Sequence, residues 1–314
     1  METGILGFIG SKNIGDYVQT KAVIDLVGSK NIKILDRENL DKYNDNVIQT
    51  IINGWFMESP ENWPPSEKIK PLFISFHLNP SIETELLKDE SIKYFKSHEP
   101  VGCRDIYTRD ILLEKGINAY YSSCITTTID RNNYLKSKTQ AEGIIVIGAF
   151  DRLKPTLDYK SSVKLLVSIF KYPFKKIDYT LKLSKFNRHL KNQNFKIKRY
   201  IQLNKRPIKS HNEGLNLASE MLEKIAESEV MITSRIHAAL PALAMGLKVI
   251  FIDQGLDHIN HKHRLSGLKN YFTCVNLKDF FMINLDNIPV TDKHKVYTQK
   301  IKETINNFLT QWIF

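Results

Sequence analysis

Two short segments carry residues whose types and spacing suit anion binding and proton transfer. The later one, Thr-Ser-Arg-Ile-His at 233–237, follows a buried apolar run and precedes a stretch rich in small residues. The Thr-Ser pair can cap a helix, which would place Arg235 and His237 in its first turn, where unpaired N–H groups favour anions. Arginine binds phosphate and carboxylate with a planar fork, and histidine titrates near neutral pH. The segment predicts an anion site beside a proton donor; the alternative is a packing helix with a surface arginine and a buried histidine.

The earlier segment is Gly10-Ser-Lys-Asn-Ile-Gly-Asp16, at the end of the first apolar run. Its glycines have P-loop spacing, but Asp and Tyr follow where that motif needs Lys and Ser or Thr. The G-x-G-x-x-G fingerprint of dinucleotide binding is absent too. What remains is a glycine loop that presents Lys12, Asn13 and Asp16. Asp16 is a candidate base, and capping of the next helix is the alternative.

Strands that alternate with helices must position these residues. In the first part we predict strands at Ile5–Ile9, Ile32–Leu35, Val47–Ile52, Leu72–Phe76, near Val101 and at Ala119–Ser123, with helices at Tyr17–Val27, Ile82–Ser97 and Asp105–Lys115. After a polar linker that begins at Asp130, we predict strands at Gly143–Ala149 and Lys176–Leu183, helices at Ser161–Phe170, Leu215–Glu227 and Val296–Trp312, and a strand, helix and strand over 230–253. The pattern predicts an α/β protein with two doubly wound, Rossmann-like domains facing a cleft, at 1–138 and 139–290. The terminal helix, 291–314, is expected to pack back on the first domain.

Length and composition exclude several classes of protein. A chain of 314 residues that is 42% hydrophobic can bury two cores. It has neither an apolar run of about 18 residues for a transmembrane helix nor a signal-peptide pattern at its start. Its three cysteines, Cys103, Cys124 and Cys274, are far apart, which argues against disulfides and zinc and favours a reducing compartment. We expect a cytoplasmic protein in which all three cysteines are buried.

The positive charge is concentrated in one segment. Of the formal net charge of +11, residues 151–209 contribute 17 Lys and Arg against three Asp, and the remainder is slightly acidic. The segment has three readings: a solvated face, a nucleic-acid footprint, or a patch for an anionic membrane or acidic substrate. The run KLLVSIFKYPFKK is typical of an amphipathic helix on an anionic surface. No nucleic-acid motif accompanies the basic residues, so we predict no nucleic-acid partner.

Taken together, the two segments resemble the polysaccharide pyruvyl transferase family, which has an N-terminal G-x-x-N-x-G-D loop and a late S-R-[LI]-H-A segment. Three further stretches match in order: Ile52-Asn-Gly-Trp-Phe56, the G-x-R-D-x-x-T-like Val101–Thr108, and LDHINHKHRLSGL at 256–268. The resemblance covers Gly4–Leu268, but few residues match the family over 153–209, the basic segment. It implies a glycosyltransferase B type fold. It also implies transfer of the enolpyruvyl group of phosphoenolpyruvate to two hydroxyls of a sugar in a cell-surface polysaccharide or its precursor, which forms a cyclic ketal and releases phosphate. The donor is a co-substrate, and no cofactor is expected.

On this resemblance the second domain binds the donor and the first binds the acceptor. Arg235 and the helix start at Ser234 would hold one anionic group of the donor, Arg104 the other, and His237 would be the acid. Asp16 is the candidate base, with His237 as the alternative for that role, and the acceptor side would consist of Lys12, Asn13, Trp55 and His261. The alternatives are an ion pair of Arg104 with Asp105 or Asp110 and a core position for Trp55. The spacing of His258, His261 and His263 matches no zinc motif, so no metal is predicted.

Two other functions share these features. A nucleotide-sugar glycosyltransferase of the same fold would need residues that contact a base and ribose, and we find no clear set of them. A non-catalytic protein that binds a glycan or polyanion would not need the Asn13, Asp16, Arg235 and His237 set. The sugar acceptor, lipid-linked or nucleotide-linked, and the oligomeric state stay open.

Overall fold

We describe a computed structural model of the chain, covering residues 2–136, 140–193, 195–256, 263 and 265–311. Its strands are β1 Thr3–Gly7, β2 Ile32–Asp36, β3 Ile48–Phe56, β4 Ile69–Leu78, β5 Val101–Cys103, β6 Ala119–Tyr121, β7 Ile144–Ile147, β8 Ile197–Tyr200, β9 Val230–Thr233, β10 Lys248–Ile252 and β11 Thr273–Val275. Its α-helices are α1 Ile14–Val27, α2 Glu83–Leu86, α3 Asp89–Lys96, α4 Ile106–Glu114, α5 Ser162–Lys191, α6 His211–Ala226, α7 Ile236–Ala244, α8 Leu277–Phe280 and α9 Lys295–Thr310.

The strands form two parallel sheets with the same winding. Their orders are β2-β1-β3-β4-β5-β6 and β11-β10-β9-β7-β8. In each sheet the first strand lies between the second and the third, so the loops that follow the first and third strands diverge and leave a crevice at the carboxyl edge. This confirms the prediction of an α/β protein with two parallel, Rossmann-like sheets. It also identifies the loops after β1, β3, β7 and β9 as the usual ligand positions.

The strands of the first sheet are apolar because both of their faces are covered. The pattern is clearest in β4, where Phe73, Ile74 and Phe76 are all buried. The rings of Phe73 and Phe76 lie 5.3 Å and 5.6 Å from that of Phe95 in α3, which covers this part of the sheet. Such aromatic packing makes the first sheet a rigid base for the loops at its carboxyl edge.

The two sheets are joined through packed helices. Helix α1 contacts both α6 and α7, and a side chain at Gly214 would collide with the ring of Tyr17. Arg131 donates hydrogen bonds to the carbonyls of Ala226 and Ser228, at the end of α6. At the other end of the chain, α9 packs against α1, β4 and the 3-10 turn Ile125–Thr128. The loops at the two crevices are therefore held on a common scaffold.

The secondary structure differs from the prediction along α5, at β8 and around α2 and α3. The strand predicted at Lys176–Leu183 is wrong, because these residues continue α5 to Lys191. The strand beside β7 is instead the edge strand β8, whose sequence, Ile-Lys-Arg-Tyr, has no apolar run. The helix predicted at Ile82–Ser97 is interrupted between α2 and α3.

The prediction that all three cysteines are buried is wrong for one of them. Cys103 and Cys124 are buried, but Cys274 is partly exposed. None of the described helices combines the length and apolar character needed to cross a bilayer.

Candidate active site

The glycine loop after β1 fixes the carboxylate of Asp16. Asn13 caps α1 by accepting a hydrogen bond from the Gly15 N–H at 3.2 Å, so the alternative of Asp16 as the cap is wrong. Asn13 Nδ2 and Ser11 Oγ donate to the two oxygens of Asp16 at 2.8 Å and 2.7 Å. Gln202 Nε2 donates to Asn13 Oδ1 at 2.8 Å, which ties the loop to the second half of the chain. Asp16 is therefore oriented before any ligand binds.

The segment after β9 is arranged differently from the prediction. Arg235 occupies the N-cap position of α7, so it precedes the first turn, whereas His237 lies within that turn. Thr233 and Ser234 do not cap the helix. Thr233 Oγ1 accepts a hydrogen bond from Arg235 N–H at 2.9 Å, and Ser234 Oγ donates to the Gly148 carbonyl at 2.6 Å. These bonds join the loop after β9 to the loop after β7.

A second arginine lies beside Arg235. Arg235 Nε and Nη2 donate to Asp151 Oδ2 at 3.1 Å and 2.8 Å, while Arg152 Nε donates to the Ser234 carbonyl at 3.1 Å. Burial, followed by the positive charge of Arg235, lowers the pKa of Arg152 to about 10. Arg152 therefore stays charged at neutral pH, and an anion at the start of α7 would relieve its repulsion with Arg235.

The starts of α1 and α7 meet at a small cavity. Its volume is about 30 Å³ and it is lined by Asn13, Arg152, Gln202, Arg235, Ile236 and His237. A methyl group on Gly15 would lie 2.8 Å from Cβ of His237 and 2.5 Å from Gln202 Nε2, so glycine permits this approach. His237 is only 2% exposed, yet it lines the cavity. The fold thus brings the two segments singled out in the sequence to one place.

A larger cleft adjoins Asp16 and Asn13. Its volume is about 540 Å³, and its lining includes Lys12, Arg37, Glu38, Trp55 and Glu58 together with the glycine loop. Trp55 Nε1 donates to Glu58 Oε1 at 3.1 Å. An aromatic face between carboxylates and cations suits a ligand that is polar at its edges and apolar on its faces, such as a sugar ring.

Arg104 lies in the interior rather than on the wall of this cleft. Its side chain is fully buried, and its Nη2 lies 3.6 Å from Asp105 Oδ2, which is the ion pair considered as the alternative. Asp105 also pairs with Nδ1 of the buried His77. Burial acts to raise the pKa of Asp105, but His77 and then Arg104 outweigh it and lower the pKa below its usual range. A donor contact for Arg104 stays a prediction; the cation beside Arg235 is Arg152.

His261 lies outside the described residues, as does His258. The described His263 stacks on the ring of Tyr107, 4.4 Å away. Within the described ranges, no group of three His, Cys, Asp or Glu could hold a metal ion.

The sequence analysis missed three residues of this region. Arg152 follows β7 just as Arg235 follows β9, and its place at the carboxyl edge of the sheet was the available signal. His77 is the second-to-last residue of β4, and its ring lies 5.0 Å from that of Trp55, at the same edge of the first sheet. Gln202 offered no local signal, because it reaches Asn13 only through the pairing of residues 202–208 with the glycine loop.

The comparison with protein families decides the family. The model named "Polysaccharide pyruvyl transferase" matches residues 13–255, which include Asn13 and Asp16 of the glycine loop and both arginines. The chain belongs to the polysaccharide pyruvyl transferase family. The resemblance inferred from the sequence is thereby confirmed. The match begins just before α1 and ends after β10, so it includes strands of both sheets.

Comparison with solved structures supports the fold. A functionally uncharacterized protein from Klebsiella pneumoniae subsp. pneumoniae NTUH-K2044 aligns with a TM-score of 0.51 and 13% identity, over 88% of this chain and 93% of that protein. At this identity the likeness concerns the fold alone. A search of curated proteins finds no match to the chain.

Proposed function

We propose that this protein transfers the enolpyruvyl group of phosphoenolpyruvate to two hydroxyls of a sugar, forming a cyclic pyruvate ketal and releasing phosphate. The observation that carries the proposal is the meeting of Arg152, Arg235 and His237 with the Asp16 loop at two facing helix starts. The donor carries a phosphate and a carboxylate, and two neighbouring guanidinium groups suit such a doubly anionic molecule.

In the proposed reaction His237 protonates the methylene carbon of the donor, which makes C2 electrophilic. Asp16 accepts the proton of the first sugar hydroxyl as its oxygen bonds to C2. The C2–O bond to phosphate then breaks, and the second hydroxyl closes the ketal while its proton leaves with phosphate. Asp16 then gives its proton to solvent and His237 takes one back, which restores both residues. Of the two hydroxyl protons, one is thus balanced by the proton on the new methyl group and the other leaves on phosphate.

We assign the donor to the small cavity at the start of α7 and the acceptor to the larger cleft beside the glycine loop. The donor is held by Arg235, Arg152 and the backbone at Ser234. The acceptor lies against Lys12, Asn13 and Trp55, which line the larger cleft. A contact of His261 with the acceptor stays a prediction. Arg104 would contact the donor only if its guanidinium were uncovered, because its side chain is fully buried.

We also propose the acceptor and the cellular location of the reaction. The acceptor is a lipid-linked or nucleotide-linked precursor of a cell-surface polysaccharide, and the enzyme works in the cytoplasm at the inner face of the membrane. The two sheets would close on the donor as in a glycosyltransferase B type fold, with no cofactor beyond phosphoenolpyruvate.

The deciding experiment follows inorganic phosphate. We expect the protein to release phosphate from phosphoenolpyruvate only when a suitable sugar from a panel of nucleotide-linked and lipid-linked acceptors is present. Release of a nucleotide from a nucleotide sugar, without use of phosphoenolpyruvate, would identify a glycosyltransferase. Binding of phosphoenolpyruvate with no turnover across the panel would identify a non-catalytic binding protein. Either result would overturn the proposal.

Replacement of Arg152 by glutamine should weaken donor binding more than it slows chemistry. A hydrogen bond to a charged group contributes about 1.5–3 kcal/mol, so KM for phosphoenolpyruvate should rise by about tenfold to hundredfold with a smaller change in kcat. Steady-state kinetics of Arg152→Gln measure this. The matched control is Lys154→Gln, which removes an exposed cation two residues away. An unchanged KM in Arg152→Gln would remove Arg152 from the donor site.

A further inference from the structure

The first two thirds of α5 are exposed and apolar on one side. Six large hydrophobic residues recur at intervals of four and three: Val163, Val167, Phe170, Phe174, Ile177 and Leu181. Phe170 and Phe174 are each 75% exposed. Intervals of three and four place residues on one face of a helix, so these six form a continuous stripe. We call it the α5 stripe.

The opposite side of the same helix is anchored in the protein. Phe186 and Leu190 are fully buried, and the ring of Phe186 lies 4.8 Å from that of Phe150 and 5.1 Å from that of Phe280. Between Ser162 and Asp178 the helix has no buried residue. The core thus holds α5 near its carboxyl end, on the side opposite the α5 stripe, and the stripe extends about 27 Å at 1.5 Å per residue.

Cations accompany the stripe. Helix α5 contains seven lysines and one arginine but a single acidic residue, Asp178, which pairs with Lys182 at 2.6 Å. Four of the lysines lie along one flank of the stripe: Lys164, Lys171, Lys175 and Lys182. Lysine can lay its carbon chain along an apolar surface and keep its ammonium group in a polar layer.

From this arrangement we infer that α5 docks the protein on an anionic membrane surface, with the α5 stripe inserted among the lipid chains and the lysines at the phosphate layer. An interfacial helix needs an apolar face flanked by basic residues, and α5 has both on its outward side. Charge complementarity selects this partner over a second copy of the chain, because two α5 helices brought together would oppose eight cations with eight. The inference does not depend on the proposed reaction, since binding to lipid requires no substrate.

Flotation with vesicles tests the docking. The full chain, without phosphoenolpyruvate, is mixed with vesicles of phosphatidylcholine that contain phosphatidylglycerol, and with vesicles of phosphatidylcholine alone. We expect binding to the anionic vesicles, at least tenfold stronger than to the neutral ones and weakened by added salt. Phe170→Ser/Phe174→Ser should lose at least tenfold in affinity. Lys171→Gln/Lys175→Gln should reduce the preference for anionic lipid.

A matched control separates the stripe from exposed apolar residues in general. Met282→Ser changes a side chain that is 70% exposed but lies outside α5, and it should bind vesicles like the wild type. Because Phe170 and Phe174 contribute nothing to the core, their variant should keep the wild-type melting temperature. Absence of binding to anionic vesicles, or equal binding by the phenylalanine variant, would overturn the inference. So would a dimer that this variant converts to monomers, or binding to single-stranded RNA that displaces the vesicles.

Discussion

Replacement of His237 by asparagine is expected to lower kcat for pyruvyl transfer by about 10²–10⁴-fold, the usual contribution of a positioned general acid. His237 lies in the first turn of α7 and lines the small cavity with Arg152 and Arg235. Asparagine keeps a polar side chain of similar reach but has no proton to give at neutral pH. The measurement is acceptor-dependent phosphate release at saturating phosphoenolpyruvate.

The pattern of kinetic change distinguishes chemistry from binding. If His237 only held the donor, the variant would raise KM and leave kcat close to that of the wild type. The control is His189→Asn, which changes a histidine that lies against Phe280 and Phe281. A folded His237→Asn protein with near-normal kcat would end the assignment of the acid.

The meeting of these residues could be predicted from the sequence only in part. The motifs at Asp16 and at Arg235 and His237 were readable because each follows an apolar run and contains capping or glycine residues. The contact between these two segments could not be predicted from the sequence. It depends on Gly15, where a side chain would strike His237, and on Gln202, which reaches Asn13 across 189 positions of sequence. Local periodicity carries no signal for such contacts.

The error at Lys176–Leu183 has a physical cause. Ile177, Tyr179 and Leu181 alternate with polar residues as in a strand, and Pro173 suggests a break just before them. A longer stretch of sequence favours a helix, because apolar residues recur at intervals of four and three at Tyr179, Leu183, Phe186 and Leu190. These four pack in the apolar core around the second sheet. The edge position beside β7 is taken by β8, so a strand at 176–183 would have no place there.

The buried cluster of His77, Arg104 and Asp105 should be the site most sensitive to loss of one charge. Asp105→Asn is expected to lower the free energy of unfolding by about 3–5 kcal/mol, because it leaves the guanidinium of Arg104 buried without its counter-charge. Asparagine can still accept the hydrogen bond from the Thr108 N–H, at 2.9 Å in the wild type, that caps α4. The loss of stability would therefore be due to the missing charge of Asp105 and not to a lost helix cap. Chemical denaturation at neutral pH measures it.

The matched control removes an acidic residue from an exposed ion pair on the same helix. Asp110 pairs with Arg109 at 2.6 Å on the surface, and Asp110→Asn should change stability by no more than about 1 kcal/mol. Adding Arg104→Met to Asp105→Asn should restore part of the lost stability, since the uncompensated charge is then gone. An Asp105→Asn protein as stable as Asp110→Asn would show that solvent or a bound anion reaches Arg104. That result would favour Arg104 as a donor contact.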